Sequence, residues 1–490
     1  MIKKQLTGYL FGALTALVIF ITDRPLLGQE IQFVVSKINL PGQINFVMDS
    51  QAVENRSADI FISYTPDQGK QAGSKVIARL QTPDGLRYSA QSELAHTLDQ
   101  DIGTIDFGDL NKDGRDDLIA TKNGRIEILY QKEDGKFPQK SSLQFACPYN
   151  LPYSRKKVFQ YDFLKDLNHD QKPDIFIPTI KGYALFAQDP QGRFPQMITQ
   201  NINLDYSSSL SVYGQYLAIE YNLPIPSQID INKDGMKDLV FSDGNTFTFF
   251  PFQPEEGKYG PAVTIKIPVE RKPFGSLHAK VDEINGDGLP DIIIMRVSGK
   301  KILTNEIFLF KGQTGLVYPQ KEDQLIHSEG AAQIPFIQDL NGDGKKELVT
   351  SSVKIGLSFF VDYFLRNRIG IDVSIYCLGQ EQLYDEKPAK VRRLYFKTEE
   401  EEGSPAVQQG DFNNDGLKDF VLATHPDRLS FYLANPREFL SDKPACEVNV
   451  PAYGRITVRD FNGDGRDDMA IIYPVEKRKG DVTLLISAGD

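Results

Sequence analysis

The chain has 490 residues, and 66 acidic against 55 basic side chains leave a formal net charge of −11. That balance, without a long basic run, argues against a nucleic-acid partner, and 40% hydrophobic with 25% charged residues argues against disorder. Three widely spaced cysteines and no tryptophan exclude a disulfide framework, a four-ligand zinc site and repeats built on a Trp.

The N-terminus carries Lys3 and Lys4, an apolar run from Leu6 to Ile21, then Asp23 and Arg24. This order reads as a secretory signal over residues 1–28, with an uncleaved signal anchor as the alternative. No cysteine near its exit provides a lipid attachment point, so membrane contact is expected only through such an anchor. The remaining residues, 29–490, are expected to form one domain that is secreted, periplasmic or at the cell surface.

Next come two apolar stretches, Asn45 to Asp49 and Asp59 to Tyr64, followed by Val76 to Leu80 and a turn at Thr82 to Tyr88. They read as strands of a first unit whose connecting loop has degenerated. From residue 109 a nine-residue pattern begins to recur. Its first copy is Asp109-x-Asn111-x-Asp113-Gly114-x-x-Asp117. The second and third place Asp166, Asn168, Asp170 and Asp174, then Asp230, Asn232, Asp234 and Asp238, at the same positions 1, 3, 5 and 9. The fourth and fifth place Glu283, Asn285, Asp287 and Asp291, then Asp339, Asn341, Asp343 and Glu347. The last two place Asp411, Asn413, Asp415 and Asp419, then Asp460, Asn462, Asp464 and Asp468. Position 6 is Gly except at Gln171.

Alternating carboxylate and amide oxygens on a tight turn suit a hard cation, since calcium takes six to eight oxygen ligands in a flexible shell. Glycine at position 6 permits the turn; Gln171 in its place predicts that the second loop is the weakest. An EF-hand needs an acid at position 12. There the chain has Ala120, Ile177, Phe241, Ile294, Thr350, Leu422 and Ile471, so that reading fails. Each loop is instead followed by a short apolar run such as Leu118-Ile-Ala or Ile292-Ile-Ile, and then by a second strand, a turn and a third. Four antiparallel strands per unit make a propeller blade. Seven loop-bearing units and the degenerate first one predict an all-β, eight-bladed β-propeller. Its last blade is completed by the strand at Ile31 to Val35. Seven blades plus an N-terminal appendage is the alternative.

These loops and the four-strand period resemble FG-GAP/VCBS-type repeats, the calcium-binding propeller repeats also found in integrin alpha chains. The likeness covers residues 100–490 strongly and 30–100 weakly, and the Phe-Gly and Gly-Ala-Pro signatures of the integrin version are absent. It implies up to seven bound Ca2+, loops crowded on one face and partners on the other, in an extracellular adhesion or recognition protein. The leading expectation is a non-enzymatic module that binds an extracellular protein or glycan. A calcium-dependent polysaccharide lyase or hydrolase is the competing class. No catalytic residue is identified, because His96, His169, His278, His327 and His425 lie in no catalytic spacing and read as solvated loop residues. Two stretches exceed the regular blade. Ile355 to Ile371 has the spacing of an amphipathic helix that packs over the rim, with a binding element as the alternative, and the tyrosines of Tyr206 to Tyr221 suit a protein or sugar surface or, equally, ordinary packing. Arg155-Lys156-Lys157 and Glu399 to Glu402 read as solvated charge runs.

Overall fold

The computed structural model describes residues 31–488, apart from 50–58, 68–72, 81, 83, 90–92, 139, 169, 180–181, 202–205, 212–215, 222–225, 274, 299–303, 330–334, 380 and 398–405. The N-terminal segment 1–28, His169 and the acidic run 399–402 therefore lie outside the described residues. Eight antiparallel sheets follow one another along the chain, at 42–98, 102–146, 164–201, 227–266, 276–329, 336–397, 406–449 and 455–488. They are blades 1 to 8 of a β-propeller. The fourth strand of blade 8 is Gln32–Asn39, which pairs antiparallel with Asp481–Ala488 from Gln32 opposite Ala488 to Asn39 opposite Asp481. Chain start and chain end thus share one sheet, and the ring has no open blade edge where the two meet. The count is eight, not seven with an appendage.

The second strand of each blade is apolar on both faces over its buried middle because both faces are covered by neighbouring blades. Blades 4 and 5 meet through Val240, Phe247 and Phe249 against Ile292, Ile294 and Phe308, all buried. Blades 8 and 1 meet through Ala470, Leu484 and Ile486 against Ile60, Ile62 and Val76. Between blades 1 and 2, Phe61 stacks on Phe107 with ring centroids 4.0 Å apart.

The innermost strands carry polar ties across the ring. Arg459, on the first strand of blade 8, donates to Asp49 of blade 1 at 2.8 Å and to Asp162 at 3.0 Å. Asp162 belongs to a segment that crosses from blade 2 to blade 3, where Phe159–Gln160 pairs in parallel with Thr104 and Ile105 as a fifth strand of blade 2. Asp106 anchors the same segment. It is buried, and one carboxylate oxygen accepts the backbone N–H groups of Phe163 at 2.7 Å and Leu164 at 3.1 Å.

Two expectations are corrected here. The helix Leu357–Arg366 exists, between the second and third strands of blade 6, but it does not pack its apolar side over the rim: its one buried residue is Asp362. Arg366 and Arg368 both donate to that carboxylate, so an ion-pair cluster rather than an apolar contact ties the helix down. The described histidines are not loop residues either. His96, His278, His327 and His425 all lie on strands, and burial lowers the pKa of His96 and His278. The tyrosine-rich stretch forms a hairpin, Tyr206–Ser211 with Tyr216–Tyr221. Among the described residues no helix is long and apolar enough to cross a membrane.

Burial pushes the Asp106 carboxyl up to about 8. A carboxyl raised on folding stabilises the native state fully below its unfolded value and loses that contribution as pH rises through the folded one. The Asp106→Asn variant keeps an acceptor oxygen and cannot ionise, so its denaturation free energy should fall less than wild type's between pH 6 and 9. Asp106→Ala removes the side-chain acceptor of three N–H groups, Phe107, Phe163 and Leu164, and should lose about 2–5 kcal/mol in the same titration.

Candidate metal loops and the buried acids behind them

Each nine-residue loop joins the first and second strands of its blade. All seven therefore lie at one end of the ring, with the turns between third and fourth strands. Within a loop the side-chain oxygens fold the backbone around themselves. The Asn at position 3 accepts the N–H of position 5 in all seven copies, at 2.8–3.2 Å. Position 5 accepts the N–H of position 7 at 2.8–2.9 Å, again in all seven. The acid at position 1 accepts the N–H of position 6 at 2.7–2.9 Å in six. In the remaining loop Glu283, one methylene longer, accepts Gly286 at 2.6 Å instead. The Asn is preferred to Asp at position 3 for a reason visible in five loops, where its amide N–H also donates to the position-5 carboxylate.

The tight wrap requires left-handed backbone at two positions. At position 6 the glycines have φ of 74° to 86°, and Gln171 reaches 62° with its N–H on Asp166 at 2.9 Å. Its loop closes as the others do, at the cost of a strained residue. Position 4 is left-handed too, at Lys112, Lys233, Gly286, Gly342, Asn414 and Gly463. Three glycines and an asparagine there were a readable signal of this second turn.

The acid at position 9 does something different. It opens the second strand and is at most 1% exposed in every copy. One oxygen accepts the N–H of position 2, as Asp117 does from Leu110 at 3.0 Å and Asp238 from Ile231 at 2.7 Å. The other oxygen accepts a backbone N–H just beyond the third strand, from Gln131, Gln188, Phe252, Gly312 or Ala434, or in blade 8 near that strand's end, from Ser487, at 2.6–3.0 Å. Glu347 departs from this, taking the side-chain amide of Asn341 at 3.3 Å in place of the distant backbone group. Position 2 is Leu110, Leu167, Ile231, Ile284, Leu340, Phe412 or Phe461, buried each time. An apolar residue at position 2 of every loop is the one trace the latch leaves in the sequence. Its backbone carbonyl is then used by the next blade. Gln188 donates to Leu110, Tyr259 to Leu167, the N–H of Lys346 to Ile284, and Ser487 to Phe412.

Burial dominates the electrostatics of these latch acids, raising Asp117 and Asp174 to about 6, Asp291, Glu347 and Asp419 to about 7, and Asp468 to about 8. Asp238 is raised for the same reason. The accepted N–H groups oppose the rise, and the carboxylates at positions 1 and 5 of the same loop add to it. Among the described residues no three acidic, histidine or cysteine side chains converge closely enough to enclose an ion by themselves. The donor set nevertheless fits a hard cation, because each ionised carboxylate has about four lone-pair sites and positions 1 and 5 use only part of theirs.

Removing a latch and removing an outer oxygen should differ in kind. Asp117→Ala leaves Leu110 and Gln131 without acceptors and should cost about 2–5 kcal/mol by urea denaturation, with or without chelator. Asp113→Ala should cost less than about 1 kcal/mol in chelator and more in calcium; equal losses under both conditions would contradict separate roles. Gln171→Gly relieves left-handed strain and should gain about 0.5–1 kcal/mol in the same assay.

Comparison with known proteins agrees with this geometry. A family model described as an FG-GAP-like repeat matches residues 411–471, from the first ligand-type residue of the blade 7 loop into the second strand of blade 8. The T-cell immunomodulatory protein homolog of Plasmodium falciparum (isolate 3D7) is 23% identical over 367 residues, which is 70% of this chain and 40% of that protein. The matched stretch thus covers less than half of that relative's length. Among solved structures, the Dos1 propeller aligns with 95% of this chain and 98% of its own at 11% identity and a TM-score of 0.44. An Agrocybe aegerita lectin, solved for its recognition of non-reducing terminal N-acetylglucosamine, covers 90% of this chain and 99% of its own at 13% identity and a TM-score of 0.42. Eight blades closed in a ring make the chain a β-propeller, and two of its seven like loops, in blades 7 and 8, fall within the stretch that matches an FG-GAP-like repeat.

Proposed function

We propose that this propeller is a calcium-stabilised, non-enzymatic recognition module that acts outside the cytoplasm on a protein or glycan partner. The observation that carries the reading is the sevenfold repetition of one hard-oxygen donor set, with positions 1, 3 and 5 folded into the same turn each time. In each loop the side chains at positions 1, 3 and 5 would hold the ion; those of the first are Asp109, Asn111 and Asp113. The ion would supply positive charge where the carboxylates at positions 1 and 5 face a buried third. The acid at position 9 keeps its backbone partners and acts as the floor of the site. Calcium levels outside cells suit such loops, since extracellular modules bind at about 10⁻⁴–10⁻³ M. The apolar N-terminal run behind Lys3 and Lys4 supports export. The relative described as a T-cell immunomodulatory protein homolog supports recognition rather than catalysis.

The energy involved is structural in scale. With calcium at ~10 times Kd, each site adds about 1.4 kcal/mol, so seven add about 10 kcal/mol, comparable with a whole domain's stability of about 5–15 kcal/mol. For a chain of this size that is about 10 °C in melting temperature. Thermal melts in millimolar calcium and in EDTA should differ by about that amount; coincident melts would overturn the calcium reading.

A further inference from the structure

The helix Leu357–Arg366 is built inside out. Leu357, Phe364 and Leu365 are 83%, 68% and 78% exposed, with Phe360 and Tyr363 also in solvent, while the charged Asp362 is buried. At 100° per residue these apolar side chains span about 200° of the helix surface, with Asp362 on the far side. A helix that docks in a protein groove presents a narrower stripe. An arc of half the circumference, rich in aromatic and leucine side chains, suits a helix lying in the plane of a lipid interface.

Charge points the same way. Lys354, Arg366, Arg368 and Arg393 outnumber the two carboxylates they pair with, Asp362 and Asp372, so this ion-pair cluster is net positive among the described residues, in a chain of net charge −11. The exposed Arg155, Lys156 and Lys157 lie at the same end of the ring. The Lys156 carbonyl is held by Thr65, near the end of the second strand of blade 1, and the helix leaves the end of the second strand of blade 6. Both therefore sit opposite the acidic loops.

We propose that this face docks on an anionic lipid bilayer, with Leu357, Phe360, Phe364 and Leu365 immersed at the headgroup boundary and the basic side chains over the phosphates. The absence of tryptophan makes Phe364→Trp a lone reporter in the full chain, at a site too exposed to affect folding. With vesicles containing about 30% phosphatidylserine, its emission should shift to the blue and acrylamide quenching should fall at least ~two-fold. Pure phosphatidylcholine vesicles should leave both nearly unchanged. Adding Leu357→Ser and Leu365→Ser should abolish the shift while the melting temperature holds. An unshifted spectrum while the protein sediments with anionic vesicles would overturn the proposal, as attachment would then occur elsewhere. So would shielding of the reporter by a protein partner alone.

Discussion

A buried carboxylate that accepts two backbone N–H groups is the constraint on which the rest of this molecule depends. Seven times, an acid at the head of a second strand reaches back to the second residue of its loop, and six times it also reaches forward past the end of the ladder between second and third strands. A buried donor without an acceptor costs about 1–3 kcal/mol. The acid therefore joins three segments of a blade at a place where sheet hydrogen bonding cannot. Because the carbonyl of the same second residue is bonded by the following blade in four places, a local latch becomes part of the contact between blades.

This arrangement separates two roles that one motif seems to merge. The oxygens at positions 1, 3 and 5 shape the turn, and most of these residues reach solvent, Asn285, Asp411 and Asn413 being buried. The acid at position 9 is behind them, out of water, and raised in pKa by that burial. The outer carboxylates add to the rise of the latch acid's pKa, and a divalent ion in front would offset that repulsion while leaving the latch in place. Blade 1 lacks both the loop pattern and the latch. Ile60 opens its second strand where the other blades have the acid, and the preceding Asp59 is buried and bonded to the Arg79 side chain at 2.6 Å.

Much of the fold was legible because its signals are local. Ligand types at fixed spacing, a glycine for the turn and an apolar run after position 9 all fall within about twelve residues, so blade number and the closing strand followed from counting. The latch was not legible as such. Its forward partner lies 14 residues away in three blades but 15, 19 and 21 in others, so no fixed spacing announces it. Periodicity also gave the helix near residue 360 without saying which way its apolar side faces; that depended on Asp362 meeting Arg366 and Arg368. The inner strand Phe159–Gln160 is two residues long, too short for any pattern to reveal.

Native-state hydrogen exchange in chelator, followed residue by residue, tests the central claim most directly. The account predicts that the amides held by the latch acids, Leu110, Gln131, Phe461 and Ser487 among them, remain in the slowest-exchanging class without metal. The turn amides at positions 5 to 7 should then exchange faster than in calcium. If the latched amides and the turn amides lose protection together when calcium is removed, the latch is a consequence of the ion and the account is contradicted.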